Sequence, residues 1–332
     1  MEIINIVLSG GVGSRLWPLS RKSCPKQYLP IFEERTLFQK TVERNQKLCD
    51  QLMIVGNQAN YELSRKDIKG LGIEGYMEVI EACPRNTAAA IAFAAFRSRP
   101  EDILFVTPSD HLITTGDSYT KSVERAIALA KEDHIVTFGL KPTRPETGFG
   151  YIEADGESVK GFREKPDLAT AEQFLEKGNF LWNSGMFCFK AEVFLSELER
   201  YEPEVFRRSQ EAMAAAEDGF LDQEMSMKIP SISVDYAVME RTQKIKVVPS
   251  SFGWSDMGSF ESVFEYMEQH GYQPDENGNM IIGSNVHTEF VGLENTILVQ
   301  TKDAILVLKK ESAQEVKKVF EKLEKDKPEL VN

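Results

Sequence analysis

Over roughly its first 140 residues the chain alternates short, almost wholly apolar runs with longer stretches of helical periodicity, and this alternation constrains the fold more than any other feature. The runs 3–8, 52–56, 77–80, 103–107 and 135–139 read as strands bounded by polar or turn residues. Between them, 37–48, 60–69, 87–97 and 119–131 read as helices, the last capped by Ser118. Near-continuous apolar strands separated by helices predict a parallel sheet covered on both faces. In such sheets ligands sit beyond the carboxyl ends of the strands, so chemistry-bearing residues are expected just after them.

From about Gly148 the pattern changes, with strands at 151–153, 159–163 and 187–189 and helices at 168–177 and 203–216. The tail from about Gly271 changes again: short β runs at 280–282, 296–299 and 305–308 precede a charged amphipathic helix at 312–325. The expectation is an α/β protein with a Rossmann-like mixed, mostly parallel sheet flanked by helices and a small β-rich C-terminal appendage. Residues 1–268 form the first part and 269–332 the second.

Composition narrows the class. The longest apolar stretch, Ala88 to Phe96, is far short of the roughly 20 residues a bilayer-spanning helix needs. The N-terminus has no basic lead-in and reads as a strand rather than a signal peptide. Four scattered cysteines, Cys24, Cys49, Cys83 and Cys188, without a C-x-x-C pair, fit reduced thiols in the cytoplasm. The four histidines are likewise isolated, so no transition-metal cluster is expected. Net charge is 39 − 52 = −13, which argues against a nucleic-acid partner but not against a small anionic ligand in a locally positive pocket.

Directly after the first strand stands Ser9-Gly10-Gly11-Val12-Gly13-Ser14-Arg15-Leu16-Trp17-Pro18. Glycines there let the backbone turn sharply and present successive N–H groups to an anion. A Walker A loop would end in Gly-Lys-Ser/Thr, and Gly13-Ser14-Arg15 does not. A dinucleotide fingerprint needs a third glycine and an unbroken helix. Leu16 occupies the glycine position, and Pro18, Pro25 and Pro30 break any helix, although Glu33 stands near the usual acidic place. Two adjacent glycines alone would be a ligand-free turn. Arg15 and Lys26 shift the balance by bringing fixed positive charge to the same strand end.

Gly10-Gly11-x-Gly13-x-Arg15-Leu16-x-Pro18-Leu19 followed by Pro25-Lys26 resembles the signature of sugar 1-phosphate nucleotidyltransferases. Trp17 and the continuation Ser20-Arg21 through Gln27-Tyr28-Leu29 resemble the mannose 1-phosphate guanylyltransferase branch. The resemblance implies that Ser9, Gly10, Gly11 and Gly13 wrap a triphosphate, that Arg15 holds the leaving pyrophosphate and that Lys26 stands near the reacting phosphates. Pro84-Arg85-Asn86-Thr87 resembles the base-contacting segment, so Arg85, Asn86 and Thr87 join the nucleotide set. Asn86 and Thr87 are also good N-caps for the helix that follows. Asp110, in Pro108-Ser109-Asp110-His111, and Asp256, in Gly253-Trp254-Ser255-Asp256, match the aspartates that bind Mg²⁺.

The sugar side is implied by three segments: Gly148-Phe149-Gly150-Tyr151-Ile152, Phe162-Arg163-Glu164-Lys165-Pro166 and Trp182-Asn183-Ser184-Gly185. Arg163 stands where the family usually has valine. Gly148, Glu164 and Asn183 then face the sugar and Lys165 the sugar phosphate. Asp235, in Ser233-Val234-Asp235-Tyr236, either orders the sugar site or caps a helix. Thr301-Lys302-Asp303-Ala304 and Gln314-Glu315-Val316-Lys317-Lys318 extend the resemblance through the tail.

The implied reaction is attack of a sugar-phosphate oxygen of mannose 1-phosphate on the α-phosphorus of GTP, with loss of pyrophosphate. The nucleophile is already an anion, so positioning and charge neutralisation carry catalysis. The same fold with another base or sugar, such as a thymidylyl- or uridylyltransferase for glucose 1-phosphate, stays open, as does a non-catalytic nucleotide-sugar-binding subunit. Some bacterial relatives carry a fused isomerase domain; with the chain ending after the 312–325 helix, a second activity is not expected. The β-rich tail is a candidate homodimer surface.

Overall fold

In the computed structural model, residues 1–30 and 35–332 are described, and Glu33 falls outside them. The apolar runs of the first half become β1 (Ile3–Leu8), β2 (Gln51–Asn57), β3 (Met77–Glu81), β4 (Ile103–Pro108) and β6 (Ile135–Leu140), with a short β5 (Leu112–Ile113) between the last two. The second half supplies β7 (Gly150–Asp155), β8 (Ser158–Glu164), β9 (Phe180–Lys190), β10 (Ile245–Ser250) and β11 (Trp254–Ser255). The tail adds β12 (Met280–Ile282), β13 (Thr296–Gln300) and β14 (Ile305–Lys309).

The main sheet runs β3-β2-β1-β4-β9-β6-β10-β8-β7, with β7 pairing back onto β9. Pairing is parallel from β3 through β4 and between β6 and β10. The long β9 lies antiparallel between β4 and β6. That reversal positions the site. A strand running against its neighbours begins where they end, so the start of β9 lies beside the carboxyl end of β6, with Asn183 opposite Gly139. Gly139 has no room for a side chain, because an added Cβ would meet Leu181 Cδ1 at 2.6 Å.

The helix Asn86–Arg97 packs on the sheet with Ala88 through Ala95 all buried. A run of alanines favours helix and lets the backbone approach both the sheet and the helices above it. Neither Asn86 nor Thr87 caps it: Arg85 holds the N-cap position, and Thr87 Oγ1 instead accepts from Val234 N at 2.9 Å. Ser118 is also no cap, since its helix begins at Asp117 behind Gly116. The expected 312–325 helix divides into a 3₁₀ segment, Lys310–Glu315, and an α-helix, Val316–Asp326.

The tail strands form a separate sheet, β12-β13-β14, parallel then antiparallel. Their apolar side chains share one core with Leu16 and Trp17 of the glycine-loop segment and with Phe260 and Phe264. The four cysteines are free thiols. Among the described residues no helix is long and apolar enough to cross a membrane.

Candidate active site

The glycine loop leaves β1 and is fixed from the lysine side. Lys26 N donates to Val12 O at 3.1 Å, and Ser20 Oγ donates to Gly13 O at 2.6 Å. Gly13 has φ +73°, and a Cβ there would come within 2.5 Å of Lys26 Cβ, so only glycine allows this approach. Gly10 and Gly11 face open space at the mouth of a cavity. Ser9 does not. It is fully buried, with its hydroxyl 2.5 Å from Tyr28 OH, which in turn lies 3.0 Å from Ser64 Oγ. Its side chain supports the loop from beneath.

The two aspartates, distant in sequence, meet at one lysine. Lys26, 5 % exposed, places Nζ 2.8 Å from Asp110 Oδ2 and 2.6 Å from the backbone carbonyl of Asp256. The device that joins them is the ribbon of β5 and β11, which pairs Ile113 with Trp254 and Leu112 with Ser255. Burial pushes the Asp110 carboxyl up, but the Lys26 ammonium, His111 and the hydrogen bonds to the carboxylate together offset this and hold it below the ordinary aspartate value. Burial depresses the neighbouring His111 imidazole, against the pull of Asp110. Its Nδ1 accepts from Trp254 Nε1 at 3.2 Å, which leaves the proton of the neutral ring on Nε2. Asp256 Oδ1 accepts from Gly258 N at 3.0 Å, and a Cβ on Gly258 would overlap the other carboxylate oxygen.

Of the residues expected at a sugar, the structure gathers Asn183, Asp235 and Glu164. Asn183 Nδ2 donates to Asp235 Oδ1 at 3.1 Å, and Thr137 Oγ1 donates to Asn183 Oδ1 at 2.9 Å. Asp235 opens a single π-helical turn, Asp235–Met239, and makes no cap hydrogen bond, so the capping alternative falls away. Burial, then the nearby Glu164 charge, push its carboxyl up to about 7. Glu164 pairs with Lys165, whose backbone has φ +47°. The glycine that makes room here is Gly150, in register with Glu164; a Cβ on it would lie 2.6 Å from Glu164 Oε2 and 3.4 Å from Asn183 Cβ. Gly148 lies further out, its N–H donating to Glu146 Oε1 at 3.1 Å.

Two cavities flank the Lys26 junction. One, of about 420 Å³, is lined by Gly10, Gly11, Asn86, Thr87, Asp110 and Asp235, with apolar walls from Ile91 and Val234. Glu81, which the sequence did not single out, also lines it. Glu81 is 6 % exposed, and its Oε1 has no hydrogen-bond partner. Burial pushes its carboxyl up to about 8, with a backbone hydrogen bond from Arg85 pulling the other way. Arg85 itself turns aside: its Nε donates to Ile229 O at 2.6 Å. The second cavity, of about 360 Å³, collects Arg15, Arg144, Lys165, Gly148, Asp256 and Gln314. Asp110 thus lines the first cavity and Asp256 the second, and Lys26 contacts both residues.

The fold is an α/β sheet with a strand-end glycine loop beside a lysine that bridges two aspartate segments. The nucleotidyl transferase family model matches residues 4–271, and the chain belongs to that family. A second model, the MannoseP isomerase/GMP-like beta-helix domain, matches residues 275–323. The xanthan biosynthesis protein XanB of Xanthomonas campestris pv. campestris is 39% identical over 343 residues, covering 97% of this chain and 73% of that protein. The mannose-1-phosphate guanylyltransferase of Sinorhizobium fredii is 37% identical over 350 residues, covering 98% and 68% respectively. A Thermus thermophilus crystal structure named as a mannose-1-phosphate geranyltransferase superposes with a TM-score of 0.84 at 29% identity. The match covers 98% of this chain and 100% of that one.

Proposed function

We propose that this chain transfers GMP from GTP to α-D-mannose 1-phosphate, forming GDP-mannose and pyrophosphate. The observation that carries the mechanism is Lys26, bound to the carboxylate of Asp110, which lines the first cavity, and to the backbone carbonyl of Asp256, which lines the second. The names of the relatives support the choice of base and sugar.

In this reading the nucleoside occupies the first cavity, with its triphosphate over the N–H groups of Gly10 and Gly11. Guanine presents an N1–H and an N2–H₂ on one edge, and the Glu81 carboxylate, which lines this cavity with an oxygen unpartnered, can accept both. Glu164, Asn183 and Asp235 take the sugar hydroxyls. Lys165 and Arg15 bring positive charge to the sugar phosphate and the departing pyrophosphate. The attacking phosphate oxygen is already anionic, so no residue has to remove a proton. Lys26 neutralises charge as it builds on the α-phosphate.

Asp110 and Asp256 are the residues that would hold Mg²⁺, which takes a few carboxylates and completes its shell with phosphate oxygens and water. Asp110, held ionised and about a third exposed, keeps Oδ1 outside the Lys26 contact. Bound there, the ion would polarise the α-phosphate and orient both substrates' oxygens. The division into a catalytic part, residues 1–268, and a C-terminal part, residues 269–332, belongs to the same reading. A non-catalytic subunit is disfavoured because Lys26, Asp110 and Asp256 are all in place. Running the reaction backwards tests the assignment: GDP-mannose with pyrophosphate and Mg²⁺ should yield GTP. Turnover of UDP-glucose or dTDP-glucose but not GDP-mannose would overturn it.

A further inference from the structure

The C-terminal part touches the glycine-loop segment at more places than an appendage needs. Trp17 Nε1 donates to Leu330 O at 2.8 Å, and the Arg21 guanidinium donates to the same carbonyl. Arg21 also pairs with Asp303 at 2.8 Å, and Lys22 with Glu324 at 2.5 Å. Lys22 N donates to Val331 O at 2.8 Å. Leu16 and Trp17 are buried together with Ile282, Ile297, Val316 and Phe320. Arg15 therefore lies between two fixed points, Gly13 packed on Lys26 and Leu16 packed in the C-terminal core.

The same part also reaches the second cavity directly. Gln314 lines it together with three cationic side chains, Arg15, Arg144 and Lys165, and three carboxylates, Glu146, Asp256 and Glu261. Its neighbours Ala313 and Val316 are 1% and 2% exposed, which anchors the turn while Gln314 itself is exposed. A carboxamide in a cavity whose cations and carboxylates balance adds N–H donors for phosphate oxygens without adding negative charge.

We propose that the C-terminal part completes the phosphate-holding cavity, with Gln314 contacting the phosphate groups of the substrates and the Trp17–Arg21 clamp positioning Arg15. The inference rests on the reading that this cavity holds phosphate. It makes the C-terminal part a contributor to binding, beyond its share in stability.

Pyrophosphate binding by calorimetry, alongside thermal midpoints and steady-state kinetics, tests it in the full chain. Gln314→Ala should weaken pyrophosphate binding about fivefold, and Gln314→Glu at least twentyfold, because a fixed negative charge then faces the ligand. Both should leave the thermal midpoint unchanged, as expected of an exposed side chain. Arg21→Ala should weaken binding severalfold and raise KM more than it lowers kcat, with Arg21→Lys restoring part of the loss. Wild-type affinity in both Gln314 variants would overturn the contact, and wild-type affinity in Arg21→Ala would overturn the positioning role. A wild-type protein that binds pyrophosphate yet turns over none of the nucleotide sugars would sink the proposed reaction and leave this inference standing.

Discussion

Replacing Glu81 by glutamine separates two consequences of burying a carboxyl in the nucleotide cavity. The folded protein pushes Glu81 from an ordinary 4.5 up to about 8. A rise of that size corresponds to about 5 kcal/mol between the two protonation states. The sign follows from linkage. Because the folded pKa is raised, the contribution is fully present below pH 4.5 and is lost as pH rises through about 8. Between pH 5 and pH 8 the unliganded protein should lose about 3–4 kcal/mol of stability from this group alone. Glutamine, neutral and of similar shape, loses none. The thermal midpoint of Glu81→Gln should therefore rise relative to the parent by on the order of 4–6 °C across that window. Binding moves the other way. Guanine's paired N–H donors favour the ionised carboxylate, so parental GTP affinity should improve as pH rises towards 8. At pH 7 only about a tenth of the sites are ionised, and the apparent affinity is about tenfold below its plateau. The glutamine variant should bind GTP about 10–100-fold more weakly, the loss of a hydrogen bond to a charged group. Differential scanning fluorimetry from pH 5 to 8.5, with and without GTP, reads both effects. Parallel midpoint curves for parent and variant would refute the buried-carboxyl reasoning, and unchanged GTP affinity would remove Glu81 from the base site.

Three further outcomes follow from the Lys26 junction. Lys26→Met should lower kcat by about 10²–10³ while changing KM little, since the ammonium acts on charge that develops during the reaction; stopped assays at saturating substrate check this, and an unchanged kcat contradicts it. Asp110→Asn and Asp256→Asn should each raise the Mg²⁺ concentration for half-maximal rate by at least the roughly 10–100-fold that losing an outer partner of a metal costs. Normal Mg²⁺ dependence in both variants removes the metal site. Gly13→Ala should cost about 1–3 kcal/mol through its positive φ and should also cut activity by displacing Lys26, as measured by denaturant titration and turnover of the same preparation.

The parallel strands were legible because β1, β2, β3, β4 and β6 are buried on both faces, so their residues are almost uniformly apolar. The glycine loop, Arg15, Lys26, Asp110 and Asp256 were legible as motifs, but their convergence was not. It depends on the two-residue strands β5 and β11, too short to leave a periodic signal. Only the end of β9 showed in the sequence, because its first half carries Asn183, Ser184 and Gly185, polar and flexible residues placed there by the site. β10 was missed for a related reason: Lys246 and Pro249 interrupt an otherwise apolar run. Glu81 left no trace at all. A glutamate at a strand end is ordinarily solvated, and only the tertiary structure reveals that this one is enclosed with an oxygen unpartnered. Ser9 differs in the opposite sense: a serine in a glycine loop suggests a ligand contact for its hydroxyl, which here lies against Tyr28 OH.

The most direct measurement is pyrophosphate release with mannose 1-phosphate and Mg²⁺, offering GTP, UTP, dTTP and ATP in parallel. Strong release with GTP and little with the other three is the expected result. Preference for a different nucleotide, or silence with all four, would contradict the assignment of this chain as a guanylyltransferase for mannose 1-phosphate.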